Sequence, residues 1–362
     1  MNSLEKILID QIGDNGPLSI AEYMGLALGH PEYGYYRRGD PFGVAGDFIT
    51  APEISQMFGE IIGLWAAVMW QVAGSPKSFN LVELGPGRGT LMADMLRASA
   101  MMEGFGDAVS VHMVETSPAM RTLQEQSLKD SPLTRAAQWH DSLDSVPDGP
   151  LIVIGNEFLD ALPIEQYFRA GDYWCPRVVD VKPDGDGLCF VLLPPFDQVD
   201  LPPGLADAKP DSMIEFCPAG LDLAADISRR FARHGGAALF IDYGHSKSGS
   251  SETLQAVKAH EFHDPLTDPG EADLTAHVDF GALAQRVFAS GARAHGPVTQ
   301  GKFLEDLGIF ERADMLLESA TEEQAEDIKG ALKRLTGGHE MGALFKVLAI
   351  TSLESAVPPG FE

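Results

Sequence analysis

Apolar residues follow two rhythms along this chain, and the rhythms alternate. From residue 79 onward, short unbroken apolar runs are each followed by a stretch whose apolar positions lie three and four apart. FNLVELG (79–85) precedes TLMADMLRAS (90–99), and AVSVHMVE (108–115) precedes SPAMRTLQEQSL (117–128). Further unbroken runs are LIVIGNE (151–157), AALFIDYG (237–244) and, near the C-terminus, ALFKVLAITS (343–352). An unbroken run of this length reads as a strand buried on both faces, and the longer period reads as a helix. Ser117 fits the N-cap of the second helix, with Pro118 at its first position. The alternation predicts an α/β fold around a mostly parallel sheet with helices on both sides.

Two regions depart from this rhythm. Residues 1–75 read as an N-terminal cap of helices and loops, with Ser19 entering one helix and SQMFGEIIGLWAAVMWQVA (55–73) forming another. Between them lies HPEYGYYRRGDPFGVAGDFITAPEI (30–54), a long irregular stretch rich in Gly, Pro and Tyr. Irregular stretches of that length are usually functional. The remainder, 76–362, reads as one core carrying a β-hairpin near 173–193, around Pro-Asp-Gly-Asp-Gly, and a helical insertion near 302–340. Residues 201–212 read as a surface loop, and no internal repeat is visible.

Composition narrows the partners. Hydrophobic residues make up 44% and charged residues 22%, an ordinary globular balance. The net charge of −27 repels phosphate backbones and argues against nucleic acid as a ligand. It would attract a cationic partner, although solubility is the plainer explanation. Cys175, Cys189 and Cys217 show neither disulfide nor metal spacing. No stretch is long and apolar enough to suggest membrane insertion. The acidic N-terminus has the pattern of neither a signal nor a transit peptide, so a cytoplasmic location is expected. Oligomeric state is not legible.

The chemistry concentrates at Val82-Glu83-Leu84-Gly85-Pro86-Gly87-Arg88-Gly89-Thr90, between a predicted strand and a predicted helix. A glycine turn there serves close packing equally well, or lets a ligand approach the backbone. The spacing Gly85, Gly87, Gly89 is neither the dinucleotide pattern nor a phosphate loop. That disfavours a nucleotide-dependent oxidoreductase. Glu83, two positions before the first glycine, would oppose a pyrophosphate but favour a ligand carrying an ammonium and a sulfonium. Glu115 ends the second run, where an open α/β sheet places an acid against ribose hydroxyls. Asp141, after the third strand, is a candidate for an adenine amine. His260-Glu261-Phe262-His263 offers no third ligand, so no metal site is expected.

The segment Glu83–Thr90 resembles the first motif of class I methyltransferases. The chain as a whole resembles the MidA-like family of S-adenosylmethionine-dependent enzymes, which includes a mitochondrial protein arginine methyltransferase that assists assembly of respiratory complex I. The resemblance is carried by His30–Tyr36, Gly46–Glu53, Gly155-Asn156-Glu157-Phe158-Leu159-Asp160-Ala161-Leu162-Pro163 and Asp273–Phe280. It implies a Rossmann-like seven-stranded core, S-adenosyl-L-methionine as cofactor, and arginine on a protein, such as a complex I subunit, as acceptor.

Ligands of open α/β sheets bind beyond the carboxyl ends of the strands. Asn156 and Glu157 follow LIVIG there, Asn156 as a further cofactor contact. Asp160 would share a face with Glu157 if a helical turn began at this point. Paired carboxylates can grip a guanidinium, whose delocalised charge makes it a poor nucleophile, and leave one nitrogen exposed. Glu157 and Asp160 are therefore the candidate catalytic pair; the plainer role for Asp160 is a helix cap. Asp47, Phe48 and Thr50 are candidates for a segment closing over the cofactor, and Tyr33, Tyr35 and Tyr36 for an acceptor channel. The alternatives are a small-molecule methyltransferase and a non-catalytic assembly chaperone that retains the cofactor fold.

Overall fold

The computed structural model describes residues 1–37, 50–129, 131, 137–195, 199 and 201–362. The chain divides into two compact units, each assembled from separate stretches. Unit 1 holds Met1–Phe48, Asp160–Leu223 and His245–Gln285; unit 2 holds Ile49–Leu159, Ala224–Gly244 and Arg286–Glu362.

Unit 2 carries the large sheet. Its strands, numbered along the chain, are β1 (Phe79–Leu84), β2 (Val109–Val114), β3 (Gln138–His140), β4 (Leu151–Asn156), β5 (Gly236–His245), β6 (Ala292–Thr299) and β7 (Phe345–Ser352). They lie in the order β6-β7-β5-β4-β1-β2-β3. Strands β1 to β5 pair in parallel, and β7 runs antiparallel to both β5 and β6. This is the mostly parallel α/β sheet expected from the sequence. Helices Thr90–Ser99 and Pro118–Leu128 make the crossovers from β1 to β2 and from β2 to β3. Between β6 and β7 come helices Gln300–Asp306, Ile309–Leu317 and Glu322–Thr336.

Every residue of β1 and of β4 is buried. Alternate residues feed one core: Leu81, Ile154 and Leu239 pack with Trp65, Phe58 and Met95. The residues between them, including Val82, Val153 and Phe240, are buried as well. A sheet covered on both faces needs no polar alternation, which accounts for the unbroken runs. Helix Gln56–Val72 belongs to this core, whereas the sequence grouped it with the N-terminal cap. Its glycines let it approach helix Thr90–Ser99 at backbone distance. A Cβ at Gly63 would sit 2.5 Å from the Met95 carbonyl oxygen, and one at Gly59 would sit 2.5 Å from Asp94 Cβ.

Unit 1 contains helices Ser3–Asn15 and Ile20–Gly29, the second opened by a Ser19–Glu22 capping box. Strands Tyr173–Val181 and Leu188–Leu192 pair antiparallel. On its other edge Tyr173–Val181 pairs with Glu165–Ala170, and that strand pairs with Met213–Phe216. Leu4, Leu8, Tyr23, Met24 and Val179 fill the core of this unit. Among the described residues no helix is long and apolar enough to cross a membrane.

Candidate active site

At the carboxyl end of β1 the chain turns through Gly85, Gly87 and Gly89, with φ of 60°, 51° and 82°, before entering helix Thr90–Ser99. A residue with a side chain is disfavoured there by about 1–2 kcal/mol. Packing adds a second demand at Gly85 and Gly89. A Cβ would meet Phe158 Cδ2 at 2.8 Å from Gly85, and Gln124 Cα at 3.2 Å from Gly89.

Glu83, the penultimate residue of β1, is only 3% exposed. Its Oε2 is buried without a hydrogen-bond partner. Burial pushes this carboxyl well above the usual carboxylate range, opposed by a hydrogen bond from the Met92 amide. On the neighbouring strand, at the end of β4, Asn156 Oδ1 is likewise buried and unpartnered. Two oxygens without partners at adjacent strand ends, one of a carboxyl that can give up its proton, suit a ligand rich in donors, such as an ammonium or an amine. The residues present therefore fit the ammonium end of a ligand that carries an amino acid.

Glu115 stands at the end of β2. Its Oε1 accepts from the Ser117 amide (2.7 Å) and its Oε2 from Gln124 Nε2 (3.2 Å). Burial raises its pKa, and hydrogen bonds, the Ser117 amide's first, act against that rise. Arg121 donates to the Glu115 carbonyl and, at 2.6 Å, to Asp141 Oδ1. Asp141 is thus tied to Arg121 on the surface, its side chain 86% exposed.

The end of β4 is shaped by a backbone strain. Glu157 has φ 50°, and its amide donates to the Ile241 carbonyl (2.9 Å) at β5. Asp242, in the C-terminal half of β5, accepts from the amides of Phe158 (3.2 Å) and Leu159 (3.0 Å). Glu157 Oε1 accepts from the Ala51 amide (3.0 Å) and from Asn156 Nδ2 (3.0 Å). No helix forms over 157–163, because a left-handed residue starts the turn and Asp242 captures its amides. The helical face that Glu157 and Asp160 were expected to share is therefore absent, and so is a helix for Asp160 to cap. Asp160 belongs to unit 1, where its carbonyl accepts from Ala276 N (3.0 Å). There, Tyr36 donates to Asp273 Oδ1 (3.0 Å) and packs edge-on against Tyr35.

Asp47 and Phe48 lie outside the described residues. Thr50 caps the short helix Ala51–Ile54 without a side-chain hydrogen bond. Glu53 in that helix accepts from Thr90 Oγ1 (2.6 Å) and pairs with Arg88 (3.6 Å), tying the helix to the glycine turn. Among the described residues no cluster could hold a metal ion. Sequence reasoning missed Glu53, Gln124 and Asp242. Asp242 could have been found as an acid closing the apolar run of β5, and Glu53 as the acid closing the segment Gly46–Glu53; nothing local marks Gln124.

Comparison with known proteins gives consistent results. Residues 61–298 match the family described as "Putative S-adenosyl-L-methionine-dependent methyltransferase". The mitochondrial protein arginine methyltransferase NDUFAF7 of Xenopus tropicalis is 37% identical, over 99% of this chain and 88% of that protein. The Caenorhabditis elegans homolog is 39% identical, over 96% and 86%. A Burkholderia thailandensis crystal structure, described as a "likely methyl transferase" bound to S-adenosyl-homocysteine, superimposes with a TM-score of 0.82 at 28% identity, covering 99% of this chain and 92% of that one. The cytoplasmic location expected from the N-terminus is overturned, since the Xenopus tropicalis and Caenorhabditis elegans relatives are named as mitochondrial. The acidic N-terminal sequence carries no positive evidence of location to set against those names.

Proposed function

We infer the reaction from one premise: this chain belongs to the family of S-adenosyl-L-methionine-dependent methyltransferases. The observation that carries the reading is Glu83, a buried carboxyl with an unbonded oxygen beside the glycine turn. Bound in this site, S-adenosyl-L-methionine supplies a methyl group on a positively charged sulfur. The chain's own residues do the holding. Glu83 and Asn156 offer acceptors to amino groups, and Glu115 offers a carboxylate to the ribose hydroxyls. Asp141 faces solvent beside Arg121, at the strand end where an adenine amine would be met. Thr50 introduces the helix that Glu53 ties to the turn.

The proposed acceptor is an arginine of a protein. The names of the relatives support it, and so does the excess of acid in this chain, at −27. Glu157 is the residue assigned to the acceptor. Strained non-glycine residues concentrate at functional sites, where strain of about 1–3 kcal/mol persists only if the surroundings enforce it. Here the enforcing bonds run from Phe158 and Leu159 to Asp242. A carboxylate so fixed can localise the guanidinium charge at one nitrogen pair and leave the third nitrogen to attack. It can also take the proton released as the nitrogen–carbon bond forms. A complex I subunit as the acceptor protein rests on the family resemblance alone.

Substituting Glu157→Gln separates acceptor binding from cofactor binding. The amide keeps the size but cannot localise the charge. S-adenosylhomocysteine affinity by calorimetry should stay within roughly threefold of the wild type, while labelled-methyl transfer to protein falls by roughly tenfold or more, the worth of a charge-assisted hydrogen bond. Transfer at the wild-type rate would remove Glu157 from the mechanism.

A further inference from the structure

One buried amide joins three parts of the cofactor site. Gln124, fully buried on helix Pro118–Leu128, donates from Nε2 to the Gly87 carbonyl (2.7 Å) and to Glu115 Oε2 (3.2 Å). Its Oε1 accepts from the indole Nε1 of Trp139 (2.7 Å) on β3. An indole can only donate, so Oε1 must face Trp139 and Nε2 must face the other two groups. Both amide protons are then committed, one to the glycine turn and one to the carboxylate. Ser117 N holds the other Glu115 oxygen, so the plane of that carboxylate is fixed at both ends.

We propose that Gln124 is a positioning residue of the cofactor site: through one side chain it sets the glycine turn, the ribose-binding carboxylate of Glu115 and the end of β3 at fixed mutual distances. The proposal rests on the reading of Glu115 as the ribose contact. Its chemistry is specific to an amide. A carboxyl at position 124 would keep the acceptor for Trp139 but put an oxygen against the Gly87 carbonyl and Glu115 Oε2. Two carboxyls so close share one proton at low pH and repel once it is lost. The nearby charged groups do not relieve this. Arg121 is held by the Glu115 carbonyl and Asp141, and Arg88 is paired with Glu53. His140, beside Asp141, has its pKa lowered by burial and by Arg121, which works against a positive charge there.

Calorimetry with S-adenosylhomocysteine tests the idea on the full chain, with circular dichroism as the check on folding. Gln124→Leu should weaken binding by roughly tenfold to a hundredfold, the worth of hydrogen bonds to a buried carbonyl and a carboxylate. Gln124→Glu, which keeps the shape, should bind progressively worse between about pH 6 and 9, by roughly tenfold or more, as the shared proton leaves. In a Glu115→Ala background, Gln124→Leu should cost less than it does alone, because both act on one contact. If the two losses simply multiply, or if Gln124→Glu follows the wild-type pH dependence, the positioning role is overturned while the cofactor reading stands. A wild-type chain that does not bind S-adenosylhomocysteine overturns the cofactor reading, and this proposal with it.

Discussion

Replacing Glu83 by Gln gives a quantitative handle on the cofactor site. The carboxyl is 3% exposed, has one oxygen without a partner, and is held well above its ordinary pKa by burial. In the free protein the folded state therefore keeps a proton that the unfolded chain releases at lower pH. Folded stability must fall as pH rises above the ordinary carboxylate range, until Glu83 ionises in the folded state as well. A ligand ammonium placed at Oε2 favours the ionised form, so binding expels the proton and affinity rises with pH. Gln has no proton to lose. The variant should show a flatter decline of melting temperature with pH and greater stability at neutral pH, since no carboxyl has to be held protonated in the folded state. Its affinity for S-adenosylhomocysteine should be weaker by about 1.5–3 kcal/mol, the worth of a hydrogen bond involving a charged group, or roughly tenfold to a hundredfold. Calorimetry in two buffers of different ionisation enthalpy reads the proton directly. The wild type should release close to one proton on binding where Glu83 starts protonated, and the variant none. A Gln variant that binds as tightly as the wild type, with the same proton release, would refute the assignment of Glu83 to the ligand's amino group.

Two further outcomes follow from the packing. His112 is buried between His140 (2.9 Å) and Asn80 (3.1 Å), and burial lowers its pKa to about 4. Below about pH 6.5 the unfolded chain takes up a proton that the folded chain refuses, so stability is lost towards pH 4 by up to about 3 kcal/mol. NMR titration should show the His112 ring neutral above pH 5, and a midpoint near 6.5 would contradict the buried chain. Gly63→Ala places a methyl 2.5 Å from the Met95 carbonyl and should cost about 1–3 kcal/mol by denaturant unfolding. An unchanged midpoint would show that the two helices separate freely.

What the sequence revealed and what it hid divide along physical lines. Strands buried on both faces announce themselves as unbroken apolar runs, so β1, β2, β4, β5 and β7 were legible. The acid before the glycine turn, Glu83, and the acid that ends the next apolar run, Glu115, were marked as candidates by their places at strand ends. Contacts between residues distant along the chain leave no such mark. Gln124 reads as an ordinary helical residue until its bonds to Gly87 and Trp139 are seen. Strand Glu165–Ala170 went unrecognised although its two-residue turn carries Gly171 at the first central position, with φ 62°, which is a hairpin signal. The helical turn expected to put Glu157 and Asp160 on one face does not form, for a local reason: a non-glycine residue in the left-handed region is rare, and periodicity cannot foresee it. The grouping of Asp160–Leu223 and His245–Gln285 with the N-terminal stretch is a matter of tertiary packing alone.

The central claim is that this chain moves a methyl group onto arginine in a protein, and one measurement addresses it most directly. Purified chain would be incubated with methyl-labelled S-adenosyl-L-methionine and a protein extract from cells lacking it, and labelled peptides would be identified by tandem mass spectrometry. The account predicts label on arginine side chains of a small number of proteins, reduced by roughly tenfold or more with the Glu157→Gln variant. Label confined to small molecules or to lysine, or no transfer by a chain that binds the cofactor, would contradict it.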